Sequence, residues 1–82
     1  MNLSIIAPHG KLFQGKVSHI TLPGEVGAFQ VYINHAPLVS ALCAGNVTYT
    51  IGTAVAMVEI KSGFVSVANN KVHVVCEPIA VT

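Results

Sequence analysis

Residues 45 to 78 read Gly45-Asn46-Val47-Thr48-Tyr49-Thr50-Ile51, Gly52-Thr53, Ala54-Val55-Ala56-Met57-Val58-Glu59-Ile60, Lys61-Ser62-Gly63, Phe64-Val65-Ser66-Val67-Ala68, Asn69-Asn70, then Lys71-Val72-His73-Val74-Val75-Cys76-Glu77-Pro78. Val47, Tyr49 and Ile51 alternate with Asn46, Thr48 and Thr50, the period of two expected of a half-buried antiparallel strand. Ala54 to Lys61 and Phe64 to Ala68 behave alike, and Val72, Val74 and Cys76 alternate with His73, Val75 and Glu77. The separators Gly52-Thr53, Lys61-Ser62-Gly63 and Asn69-Asn70-Lys71 are short and rich in residues that tolerate positive φ, so all three read as hairpin turns. The expected class is all-β.

Working toward the N-terminus, Leu3 to Ala7 makes an opening strand stopped by Pro8, and His9-Gly10 turns the chain into Leu12 to Leu22. Val17 and Ile20 are three apart, so placing both inward requires a bulge between them. Pro23 to Gly27 forms a turn, Ala28 to Val31 a brief strand, and Asn34-His35-Ala36-Pro37 a second break. No window has helical period and no linker divides the chain. Residues 1–82 are therefore expected to form one domain, with eight or more short strands packed as two sheets or a small barrel.

Composition limits what such a domain does. Of its 82 residues, 52% are apolar and only 9% charged, with four Lys, three Glu and no Arg or Asp. An ordinary soluble domain carries about 25% charged residues, and a chain this short buries only about 60% of its unfolded surface. Surplus apolar surface is left over, which calls for lipid or a protein partner. Residues 26 to 58 are uncharged, but Gln30, Asn34, His35, Pro37, Asn46, Thr48 and Thr50 interrupt them, so they do not make the roughly 20-residue apolar span of a membrane helix. Direct lipid insertion is not expected. A net charge of +1 without a basic cluster argues against nucleic acid. The N-terminus lacks a secretory pattern, so the expected setting is intracellular, with Cys43 and Cys76 reduced, buried and inert.

Three segments imitate chemistry. Gly10 to Val17 comes within one residue of the phosphate-loop pattern, but Val17 stands where a magnesium-holding hydroxyl is needed and a β-branched run follows in place of a helix. Lys61 beside a turn suggests a carrier domain with a modified Lys, yet it does not stand between two Met residues as in biotinyl domains, and Val58 stands where lipoyl domains carry an acid three residues before the Lys. That carrier reading is the alternative. The four His and two Cys have no ligand spacing, and His73 and Cys76 point to opposite faces of a strand. With no Asp and no nucleophile elbow, a hydrolytic triad has no signature, so no enzyme, metal or cofactor is expected.

Gly10-Lys11-Leu12-Phe13-Gln14-Gly15-Lys16-Val17, then Leu22-Pro23-Gly24-Glu25-Val26-Gly27-Ala28-Phe29, then Asn34-His35-Ala36-Pro37-Leu38 with Leu42 and Gly45, together resemble the N-terminal domain of the epsilon subunit of F-type ATP synthase. Ser62 to Val67 and Asn70 to Glu77 extend the resemblance over nearly the whole chain. It implies a ten-strand β-sandwich of two mostly antiparallel sheets at the foot of the rotary central stalk. Such a domain does no chemistry; it packs on the gamma subunit, touches the ring of c subunits and couples proton-driven rotation to ATP synthesis. The implied location is peripheral, at the cytoplasmic face of the inner or plasma membrane. The resemblance also implies that the Pro23–Gly27 and Asn34–Leu38 loops share the membrane-proximal end, with Glu25, Ala28, His35 and Pro37 as c-ring contacts. The gamma-contacting residues stay unassigned, and Val55 and Val65 are expected to be outward apolar positions on which to test a gamma face.

Two departures accompany the resemblance. The family usually continues into a pair of C-terminal helices that binds ATP in some members and inhibits hydrolysis, whereas the sequence here stops at Thr82. Neither nucleotide binding nor helix-mediated inhibition is therefore expected. Ile33-Asn34 also stands where many members have Pro-Gly, and Gln30 where Gly is common, although Asn too tolerates the left-handed conformation.

Overall fold

A computed structural model describes residues 1–79, all but the last three of the chain. Eight strands follow one another: β1 (Asn2–Ala7), β2 (Gly10–Lys16), β3 (His19–Gly24), β4 (Gly27–Tyr32), β5 (Leu38–Leu42), β6 (Gly45–Ile51), β7 (Ala54–Ala68) and β8 (Lys71–Pro78). One layer runs β2-β1-β8-β7-β5, and the other joins β4 to β3, β3 to β6 and β6 to the first half of β7. All pairings are antiparallel except that of β1 with β8. No described residue is helical, and no helix is long and apolar enough to cross a membrane.

The two-layer reading holds, but there are eight strands where ten were expected, partly because Lys61-Ser62-Gly63 is not a turn. β7 is 15 residues long and runs straight through these positions. Ile60 pairs with Pro78 and Ser62 with Glu77, so Lys61 is the extra residue of a bulge. A strand that passes from one layer to the other commonly does so through such an irregularity. The extra residue also reverses the facing of everything after it. Ala56, Val58 and Ile60 face inward before the bulge, and Val65 and Val67 after it. Val55 is thus 67% exposed while Val65 is 1% exposed, which corrects the expectation that both are outward.

Val17 and Ile20 are both buried, as their burial on one side demands. No bulge is needed, because the run ends at Lys16 and restarts at His19. Across the break, Val17 N–H donates to the Met1 carbonyl and Ser18 N–H to the Thr50 carbonyl, both at 2.9 Å.

Between the layers lie Leu3, Ile5, Ile20, Leu22, Val31, Val47, Ile60, Val65, Val72 and Val74, each under 2% exposed, and among the described residues no polar or charged side chain is buried with them. The rings of Phe13 and Tyr49 meet at 4.5 Å, closing the β2 side of the core. Both cysteines are free, but only Cys76 is buried, where desolvation raises its thiol pKa; Cys43 is exposed, correcting the expectation for it.

Candidate functional site

The outward surface of the first layer follows from strand register. Ile6 lies opposite Val75, Val75 opposite Phe64, and Phe64 opposite Ala41, so four strands contribute one apolar row. Phe64 is 62% and Val75 55% exposed, high values for side chains that alternation would leave polar on a free sheet face. The row lines a shallow groove of about 620 Å³, with Glu25 and Glu77 among its lining residues. One step along the strands, the next row is polar across four strands, Gln14, Ser4, His73 and Ser66, and ends on the exposed Val39 of β5.

The outward surface of the second layer is different. Gln30, Thr21, Thr48 and Met57 form one cross-strand row, and Tyr32, His19 on β3 and Val55 on β7 stand in the next, with Thr50 of β6 opposite Val55. The His19 ring stacks on Tyr32 at 5.3 Å, and Tyr32 donates through its hydroxyl to Gln30. Three threonines keep this face wettable. The apolar row of the first layer is the feature that sequence reading missed: an outward Val65 implies an inward Phe64, and only register reveals that Ile6, Val75, Phe64 and Ala41 are neighbours.

The four contact candidates do not share one end. Glu25 is at the two-residue tip of the β3–β4 hairpin, its N–H directed at the Ala41 carbonyl. Ala28 is exposed beside that tip. His35 and Pro37 lie in the β4–β5 loop, beyond the far end of β4, where His35 N–H donates to the Tyr32 carbonyl at 3.2 Å. Six residues of β4 separate the two turns by on the order of 17 Å, so the expected common end is not found. What connects them is the edge strand itself. β4 pairs only with β3, and its Ala28, Gln30 and Tyr32 point outward between Glu25 and His35.

The segments that imitated chemistry are explained structurally. Gly10 to Lys16 is β2, laddered along β1, with no helix to receive phosphate. Lys61 is exposed within the β7 bulge and lies at no hairpin. His73 is exposed and Cys76 buried, on opposite faces of β8. Among the described residues no group of His, Cys or Glu is gathered that could hold a metal ion.

A helix-free sandwich with an apolar sheet face and an open edge strand is the architecture of a small interaction domain. The chain belongs to the ATP synthase delta/epsilon family: residues 1–81 match the family model described as the beta-sandwich domain of the ATP synthase Delta/Epsilon chain. It is 32% identical over 77 residues to the ATP synthase epsilon chain of Leptospira borgpetersenii, covering 94% of this chain and 61% of that one. To the epsilon chain of Caulobacter vibrioides it is 34% identical over 77 residues, covering 94% and 90%. It thus spans about three-fifths of the former protein and nearly all of the latter. Among solved structures it resembles a chain of the Tetrahymena thermophila mitochondrial ATP synthase central stalk and c-ring (TM-score 0.77, 15% identity, 94% of this chain and 63% of that chain). It also resembles a chain of the Euglena gracilis mitochondrial ATP synthase (TM-score 0.84, 22% identity, 90% and 48%). At these identities the two structures speak to the fold.

Proposed function

We propose that this chain is a non-catalytic rotor subunit of an F-type ATP synthase, linking the gamma subunit to the c-ring and transmitting proton-driven rotation to ATP synthesis. Family membership across residues 1–81 carries the reading. The structure adds a physical reason. A torque-bearing link has to be stiff and has to bury apolar surface against its partner, and this sandwich holds a continuous core while leaving Ile6, Val75 and Phe64 in a row outside it. That row is the gamma-facing surface in this reading. The outward side of β4, from Glu25 and Ala28 to His35 and Pro37, faces the c-ring. The complex is membrane-associated, and this chain attaches to its cytoplasmic side through protein contacts alone. A carrier role for Lys61 lacks the hairpin that would present the lysine.

Titration of purified gamma subunit against three forms of the chain tests the assignment. Phe64→Lys weakens gamma binding about tenfold or more, because it replaces a ring worth about 1.5–3 kcal/mol on burial by an ammonium that must be desolvated. Met57→Lys, on the other layer, binds as the unaltered chain does. If Met57→Lys weakens binding and Phe64→Lys does not, the faces are reversed; if neither chain nor variant binds gamma, the rotor reading fails.

A further inference from the structure

The β4–β5 loop is not free to move on its own. Asn34, at φ 65, donates its backbone N–H to Asn70 Oδ1 at 2.6 Å, and Asn70 Nδ2 donates back to Asn34 Oδ1 at 3.0 Å. Asn70 belongs to the two-residue turn between β7 and β8, where Asn69 and Asn70 have φ of 52 and 59. Both central residues of that turn are left-handed, the conformation for which Asn followed by Gly is the preferred pair. Asn in place of Gly at the second position adds a side chain that the turn itself does not need. The backbone carbonyl of Asn70 also accepts from Asn2 N–H at 2.9 Å, so this one residue ties the start of β1 and the β4–β5 loop to the β7–β8 turn.

We propose that Asn70 is the positioning residue of the 33–37 loop: its side-chain amide, supplied from the other layer's long hairpin, holds Asn34 and thereby sets how His35 and Pro37 are presented. The link to c-ring contact rests on the rotor reading above; the clamp itself does not. The two hydrogen bonds between Asn34 and Asn70 are the only side-chain bonds among the described residues that join this loop to another segment. His35 Nδ1 pairs locally with the Ala36 carbonyl at 2.7 Å, which shapes the loop without anchoring it.

Asn70→Gly is the informative variant, since Gly suits the turn at least as well as Asn and leaves the fold intact. Site-resolved amide hydrogen exchange on the full chain reads the clamp. The amides of Asn34 and His35 exchange about tenfold faster in Asn70→Gly, as expected for the loss of one or two net hydrogen bonds, while β3 and β6 amides and the melting temperature stay as they were. Asn70→Asp keeps an oxygen to accept from Asn34 N–H and restores slow exchange there. Unchanged exchange at Asn34 and His35 in Asn70→Gly overturns the proposal, as does failure of Asn70→Asp to restore it. Binding to c-rings in lipid nanodiscs is measured on the same variants with His35→Ala beside them. Faster exchange in Asn70→Gly with ring binding lost in His35→Ala supports the clamp and the rotor reading together. Faster exchange with ring binding indifferent to His35→Ala supports the clamp and counts only against His35 as a ring contact.

Discussion

Val65→Lys abolishes folding, whereas the adjacent Phe64→Lys leaves a folded domain. Val65 is 1% exposed between the layers and Phe64 62% exposed on the outer face. A lysine at position 65 loses the burial of the valine, about 1.5–3 kcal/mol, and places an ammonium in a core without a polar partner, at several kcal/mol more. At about 0.05–0.15 kcal/mol per residue, a domain of 82 residues has roughly 4–12 kcal/mol in total. The variant therefore shows no cooperative thermal transition by circular dichroism. Phe64→Lys alters surface only and melts within about 4 °C of the unaltered chain. A cooperative Val65→Lys transition near that of the unaltered chain would mean that the bulge at Lys61 does not reverse the facing of β7.

The second large effect is at Gly63, immediately after that bulge. A Cβ there would stand 2.6 Å from the Val75 carbonyl oxygen and 3.0 Å from Cys76 Cα. Both obstacles belong to the backbone or base of β8, so Gly63→Ala has to pry β7 from β8 at the centre of the first layer. Overpacking of this kind costs about 1–3 kcal/mol, which lowers the melting temperature by roughly 4–24 °C in a domain of this size. At Gly15 the added carbon meets chiefly the tip of the Phe13 ring, at 3.1 Å. A side-chain ring yields where a backbone does not, so Gly15→Ala loses much less. Equal melting losses in the two variants would refute the steric account of Gly63.

Much of the fold was legible in the sequence because the signals are local. Gly45 to Ile51 alternates without interruption and is β6, residue for residue. Val72, Val74 and Cys76 are buried and their neighbours His73, Val75 and Glu77 exposed, as their period requires. The reading failed where a local signal has two outcomes. Lys-Ser-Gly marks either a turn or a bulge, and only the partner strands decide: β8 pairs with Ile60 and with Ser62 onward, β5 with Gly63 onward, and β6 with the residues before Lys61, so the chain continues. The facing of Val65 then went wrong by the same single residue. Register was also what hid the row from Ile6 to Ala41, since no one strand records which residue of its neighbour lies opposite. Asn34 was legible as a left-handed position, but its partner Asn70 is 36 residues away and is joined to it only by the finished sandwich.

The central claim is that this sandwich bridges two parts of a rotor by contact. It is tested most directly by affinity capture of the tagged chain from gently solubilised membranes of the cells that make it, followed by quantitation of the co-purified subunits. The account predicts gamma and c subunits recovered together with the chain at fixed stoichiometry, with recovery of gamma sharply reduced when Phe64→Lys is the captured form. Recovery of the folded chain alone, as a monomer without gamma, would contradict it.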